Sequence, residues 1–145
     1  MIRCQNVRKR IDPRTIRRRT EKLLKHLNLP DASVSIFLCD DTLIRELNRT
    51  YRNKNKPTDV LSFSMNEGER MVGDSSLLGD IIVSVDTAAR QAPVLGHTLI
   101  EETTSLVIHG LLHLLGYDHI NARDSKEMDD KTQELSALFP YKNHN

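Results

Sequence analysis

The chain has 145 residues, 38% of them hydrophobic and 28% charged, with 21 Lys and Arg against 20 Asp and Glu. Those proportions exclude a largely disordered chain. The length fits one domain over residues 1–145, and no apolar run approaches the roughly 20 residues that span a bilayer. Two cysteines, Cys4 and Cys39, cannot build a disulfide framework, so a reducing, cytoplasmic setting is expected.

The formal charge of +1 hides a segregated chain. Residues 1–30 carry ten basic against two acidic side chains, a balance of +8, and the rest carry eleven against eighteen, a balance of −7. The basic segment, with Arg17, Arg18 and Arg19 at its centre, reads as a footprint for a nucleic-acid backbone. A solvated helix face that happens to be basic is the competing explanation. The Arg-rich, acid-poor balance also suits a mitochondrial presequence, but the segment holds no Ser, and Ile16, Leu23, Leu24 and Leu27 form a core-facing stripe.

In chain order, Ile2–Val7 reads as a strand. Asp12 is placed to cap a helix that opens on Pro13 and runs to about Asn28, before Pro30. Ser33–Leu38 alternates Val34, Ile36 and Leu38 with small or polar residues, a strand pattern. Asp41–Tyr51 reads as a helix with Leu43, Ile44 and Leu47 inward, followed by a polar loop over Arg52–Pro57. Asp59–Met65 is a strand, with Leu61, Phe63 and Met65 on one face and Val60, Ser62 and Ser64 on the other. A loop over Asn66–Leu77 precedes a buried strand, Leu78–Val85. Asp86 is expected to cap a helix ending near Pro93–Gly96. A long apolar helix from about Thr98 to Leu115 is stopped by Gly116, and a last helix runs from about Asp124 to Leu138. The order of elements predicts an α+β fold, a small mixed sheet of about four strands with about five helices.

Three of the six histidines fall in His109-Gly110-Leu111-Leu112-His113-Leu114-Leu115-Gly116-Tyr117-Asp118-His119. His109 and His113 lie one turn apart on one helix face, and a reversal at Gly116 can return His119 towards them. The spacing His-x₃-His-x₂-Gly-x₂-His is that of a long zinc-protease motif. Three neutral imidazoles suit one Zn²⁺ per chain and leave a fourth position for water. Unpaired imidazoles among so many leucines would otherwise cost free energy. A protease places Glu, the general base, directly after the first His; here that position is Gly110, which argues against peptide hydrolysis. Asp118 either orients an imidazole and assists proton transfer or caps the turn. His26, His97 and His144 are read as ordinary surface or core histidines.

The stretch from His109 to His119 resembles the signature of the YbeY-type rRNA-maturation endoribonucleases. Tyr51-Arg52 with Pro57-Thr58-Asp59-Val60-Leu61-Ser62-Phe63, and Leu78-Gly79-Asp80-Ile81, resemble two further blocks of that family, and Glu102 matches an acidic position. The resemblance covers roughly residues 40–120. Ser64 stands where the family commonly has Pro, and Asn53–Lys56 lacks an acid often found there. The resemblance implies a zinc-dependent endoribonuclease for single-stranded RNA, acting in 16S rRNA 3′-end maturation and ribosome quality control. Its partners would be ribosomal RNA, the small subunit and assembly proteins, with no membrane and no DNA. His109, His113 and His119 would be the zinc ligands, and Arg52 the arginine of the cleft.

Arg52 is suited to a charged phosphoryl transition state, because guanidinium meets phosphate bidentately; pairing with a neighbouring acid is the alternative. Lys54 would add local positive charge. Glu102, about 10 Å along the helix axis from His109, is expected to hold Arg52 or touch a histidine rather than ligate metal. Asp59 and Ser62 line the cleft or cap a strand edge. Tyr51 and Tyr117 are the aromatic rings nearest the motifs. The alternative functions are a zinc hydrolase of another substrate class and a non-enzymatic ribosome-associated factor with a structural metal.

Overall fold

The computed structural model describes residues 2–5, 7, 11–65, 76–118 and 120–140. The elements run β1 (Ile2–Cys4), α1 (Pro13–His26), β2 (Ser33–Cys39), α2 (Asp41–Arg52), β3 (Val60–Ser64), β4 (Leu77–Ser84), α3 (Val85–Val94), α4 (Leu99–Leu114) and α5 (Ala122–Ser136). The sheet has the order β1-β2-β4-β3. β1, β2 and β4 are parallel, and β3 runs antiparallel to β4, so the fold is α+β with a mixed sheet, as the order of elements predicts.

Period-two alternation divides the apolar side chains between the two faces of the sheet. Val34, Ile36, Leu38, Ile81 and Val83 join the main core with residues of α1, α3, α4 and α5. Cys39, Leu61 and Ile82 face the other way and pack with Ile44 of α2. β3 follows the expected split, with Leu61 and Phe63 towards α2 and Val60 packed against the main core.

Helix ends follow local chemistry. Asp12 caps α1, with Pro13 in its first turn. The α1 exit is a Schellman turn: Leu29 N–H donates to Leu24 O at 2.8 Å and Asn28 takes a left-handed φ of 61°. Thr98 and Glu101 form a reciprocal capping box on α4. α5 starts on Asn121 as its cap, slightly before the expected Asp124. The cap of α3 is Ser84 rather than Asp86: its Oγ accepts from Thr87 N–H at 3.2 Å. Asp86 is drawn instead to the Asp41 N–H at 3.1 Å, across the gap between α2 and α3. That gap is closed mainly by Asp41. Its carboxylate accepts from Ser84 Oγ and Thr87 Oγ1, each at 2.6 Å, and from Arg90 at 2.8 Å.

α4 is the central helix, touching β3, β4, α1, α3 and α5. Gly110 lets it press onto the sheet, since a Cβ there would lie 2.8 Å from Cγ2 of the fully buried Ile81. Gly79 does the same from the sheet side. Its φ is +152°, and a Cβ would meet Phe63 O at 2.2 Å and the Leu114 side chain at 2.8 Å.

Gly110→Ala should therefore lower stability despite alanine's helix preference of about 1 kcal/mol, because overpacking costs roughly 1–3 kcal/mol. A drop in the urea midpoint is expected, and an unchanged or raised midpoint would refute the contact. Burial alone would raise the Asp41 carboxyl, but the hydrogen bonds from Ser84, Thr87 and Arg90 hold it below its ordinary value. The stabilisation it gives is complete above the unfolded pKa of about 3.9 and is lost as pH falls through the lower folded value. Asp41→Asn should cost about 1–3 kcal/mol at pH 7, and the gap to wild type in urea melts should narrow as pH drops below about 4.

Candidate functional site

α4 carries His109 and His113 on the face that looks towards β3, and Gly116 turns the chain at its end. Gly116 has φ 96°, Tyr117 N–H donates to Leu112 O at 3.0 Å, and Gly116 N–H donates to His113 O at 3.1 Å. This closing turn brings Tyr117 and Asp118 to the rim of a cavity of about 670 Å³. Across from the histidines, the cavity is bounded by Arg52 at the end of α2, by Lys54 and Lys56 of the following loop, and by Asp59, Ser62 and Ser64 around β3.

The two Nε2 atoms of His109 and His113 converge to 3.1 Å, with the rings 4.6 Å apart and steeply inclined. Two Zn–N bonds of about 2.0–2.1 Å at a tetrahedral angle place their nitrogens about 3.3 Å apart, so the separation of the pair suits two ligands of one zinc ion. His119 lies outside the described residues. Among the described residues, no cluster of three or more His, Cys, Asp or Glu is poised to hold a metal.

Arg52 donates from its guanidinium to Ser62 O at 2.9 Å and lies 5.5 Å from the Phe63 ring centroid. Among the described residues it pairs with no carboxylate. The loop after it is anchored by Asn48, whose buried amide donates to Lys56 O at 2.9 Å and whose own carbonyl accepts from Asn53 N–H and Lys54 N–H. Asn53 makes the turn with a left-handed φ of 57°.

Glu102 does not hold Arg52. It is buried near the start of α4 and meets His97 Nδ1 at 3.6 Å. Burial pushes its carboxyl above the usual range, with His97 pulling it down and Asp59 pushing it up. Glu102 reaches the neighbourhood of His109 through a second cavity that both residues line. Asp59 and Ser62 do line the main cavity, and Asp59 also caps locally, accepting from Val60 N–H at 2.8 Å.

Other residues singled out by sequence are placed elsewhere. Tyr51 stacks edge-on against Phe63 beside the other face of the sheet, in a groove apart from the histidines, whereas Tyr117 is at the site. Arg19 donates to Thr104 Oγ1 at 3.0 Å and covers the Phe139 ring, tying α1 to α4. Arg17 pairs with Glu21 and Arg18 with Thr15, and none of the three lines the histidine-bearing cavity. His26 joins Glu134 of α5 at 2.9 Å, and His144 lies outside the described residues. Burial, then the nearby carboxylates of Asp40, Asp41 and Asp86, push the Cys39 thiol up to about 12, which removes it as nucleophile or ligand. Sequence reasoning missed Asn48 and Lys56. The lysine was visible as the third cation of Arg52-Asn53-Lys54-Asn55-Lys56, but nothing local marked Asn48 as an anchor.

This chain belongs to the endoribonuclease YbeY family, whose family model matches residues 1–139. It is 50% identical to an endoribonuclease YbeY of Aquifex aeolicus over 115 residues, covering 79% of this chain and 73% of that protein. It is 43% identical to the Syntrophus aciditrophicus endoribonuclease YbeY over 140 residues, 95% of this chain and 88% of that one. The fold is similar to a solution structure of a Thermotoga maritima protein, with a TM-score of 0.63 at 29% identity, covering 94% of this chain and 87% of that one.

Asn48→Ala should free the loop that carries the two lysines. The loss of its hydrogen bond is expected to cost about 1–2 kcal/mol and to speed amide exchange at Lys54 and Lys56. Unchanged exchange at both amides would show that the loop holds itself.

Proposed function

We propose that this chain is a zinc-dependent endoribonuclease for single-stranded RNA that acts in 16S rRNA 3′-end maturation and ribosome quality control in the cytoplasm. The observation that carries the reading is the convergence of two imidazole nitrogens to 3.1 Å on a cavity walled by Arg52, Lys54 and Lys56. His119, two residues beyond Tyr117, supplies the third ligand in this reading. A zinc ion bound there would supply Lewis-acid polarisation of a phosphoryl oxygen and a lowered pKa for an attacking water.

The chain's own side chains supply the rest. Arg52 is held by the Ser62 carbonyl through one guanidinium nitrogen, which leaves other donors for the phosphoryl oxygens that gain charge in the transition state. Lys54 and Lys56 come from the same short connection and neutralise adjacent phosphates, a row suited to one strand. Asp118 at the rim is placed to move a proton. Glu102, fixed by His97, supports the helix face on which His109 sits. Arg17 and Arg18 on α1 remain exposed for flanking backbone, while Arg19 is engaged with Thr104 and Phe139. Peptide hydrolysis is disfavoured, because Gly110 faces Ile81 with no room for the carboxylate side chain of a protease base.

The test is cleavage of defined single-stranded RNA by wild type, His113→Ala and Arg52→Ala, with zinc content measured on each. Wild type and Arg52→Ala should carry near-stoichiometric zinc and His113→Ala almost none. Arg52→Ala should cleave about 10²–10³-fold more slowly, and His113→Ala not at all. Equal cleavage by all three preparations would mark a contaminant and end the reading.

A further inference from the structure

A second cavity, of about 530 Å³, lies between the end of α3 and the first turns of α4. That volume is within the range of about 300–1,000 Å³ typical of small-ligand sites. It shares His109 and Asp59 with the main cavity, so the two cavities adjoin at these residues. Val94 and Leu95 form its outer wall and are 84% and 57% exposed, the kind of apolar surface that a ligand covers. Leu106 supplies the inner apolar wall, and the Gln91 amide, 3.4 Å from Asp59 Oδ2, supplies a polar edge. Arg90 stands at the rim with a side chain still 62% exposed despite its contact with Asp41.

We infer that this cavity is a subsite for the nucleobase next to the scissile phosphate, and that it prefers bases bearing an exocyclic amino group. The inference rests on the ribonuclease reading of the main cavity, because that reading puts a phosphate beside His109. One nucleotide step away, an unpaired base needs an apolar slot and edge partners. Leu95 and Val94 on one side and Leu106 on the other form the slot. The Asp59 carboxylate accepts but cannot donate, so it meets the amino group of cytosine or adenine and not the carbonyl that replaces it in uracil. Gln91 offers both a donor and an acceptor to the rest of the edge. The paired carboxylates Asp59 and Glu102 make the slot unsuited to a phosphate, while Arg90 at the rim can follow the backbone past it.

The test uses the zinc-supplemented full chain and labelled single-stranded RNAs of one length, in which each nucleotide in turn is replaced by uridine or by abasic ribose. Binding and cleavage are both read. At one position beside the cleaved bond, removing a cytosine or adenine should weaken wild-type binding about tenfold, with uridine intermediate. In Leu95→Glu, a change at an exposed site, the same removal should make no difference, because the slot is already closed to the base. Asp59→Asn, whose amide can donate as well as accept, should keep the penalty for the abasic site but reduce the penalty for uridine. If base removal costs wild type and Leu95→Glu the same at every position, the proposal is overturned and the apolar wall belongs to a protein contact instead. If the base-dependent difference in binding persists while no RNA is cleaved, the subsite stands and the nuclease reading alone falls.

Discussion

Helix α4 lies against the β3–β4 hairpin only because two residues on the contact line have no side chain. At Gly110 the helix backbone rests on Ile81, and at Gly79 the strand backbone passes under Leu114 and beside the Phe63 carbonyl. Any Cβ at these places would sit closer than packed atoms allow, so the helix would have to lift or shift. That seating sets everything around it. It fixes the height of His109 and His113 above β3, and it places their nitrogens opposite the end of α2 and its loop. The same residue that permits the close approach also withholds the base that a zinc protease would carry. One missing side chain therefore sets the close packing of the helix on the sheet.

The second determinant is how the opposite wall is held. α2 is fixed at its start by the Asp41 carboxylate, which gathers Ser84, Thr87 and Arg90 from β4 and α3. It is fixed at its end by Asn48, whose backbone carbonyl holds Asn53 and Lys54 and whose side chain holds Lys56. Between these anchors the helix delivers Arg52 to the cavity, where its guanidinium donates to the Ser62 carbonyl. A carbonyl orients the guanidinium without neutralising it, so its charge remains available to an anionic substrate. The near-zero net charge of the whole chain says nothing about this arrangement, in which Arg52, Lys54 and Lys56 gather on one cavity.

The packed fold decides which partners several polar side chains take. Asp86 looked like the cap of α3, yet Ser84 takes that role, because Asp86 finds a backbone donor on α2 that is distant in sequence. Of the two partners expected for Glu102, Arg52 or a histidine, it is a histidine that it meets, His97 from the loop before its own helix. Arg19 looked like part of a nucleic-acid footprint, but it spends its guanidinium on Thr104 and Phe139. In each case the partner depends on which elements pack together, and the flanking residues alone do not select it.

The sequence by itself determined the α+β class, the extent of most elements, the faces of β3 and the pairing of His109 with His113. These follow from periods of 2 and 3.6, from caps and from turn residues, all of which act over a few positions. It also marked Arg52 and Lys54 as residues of a cleft. Tertiary structure alone decided the strand order β1-β2-β4-β3, the close seating of α4, the anchoring role of Asn48 and the second cavity behind His109. Those depend on contacts between residues far apart in the chain, where sterics at Gly79 and Gly110 and competition among hydrogen-bond partners select one arrangement that no local pattern encodes.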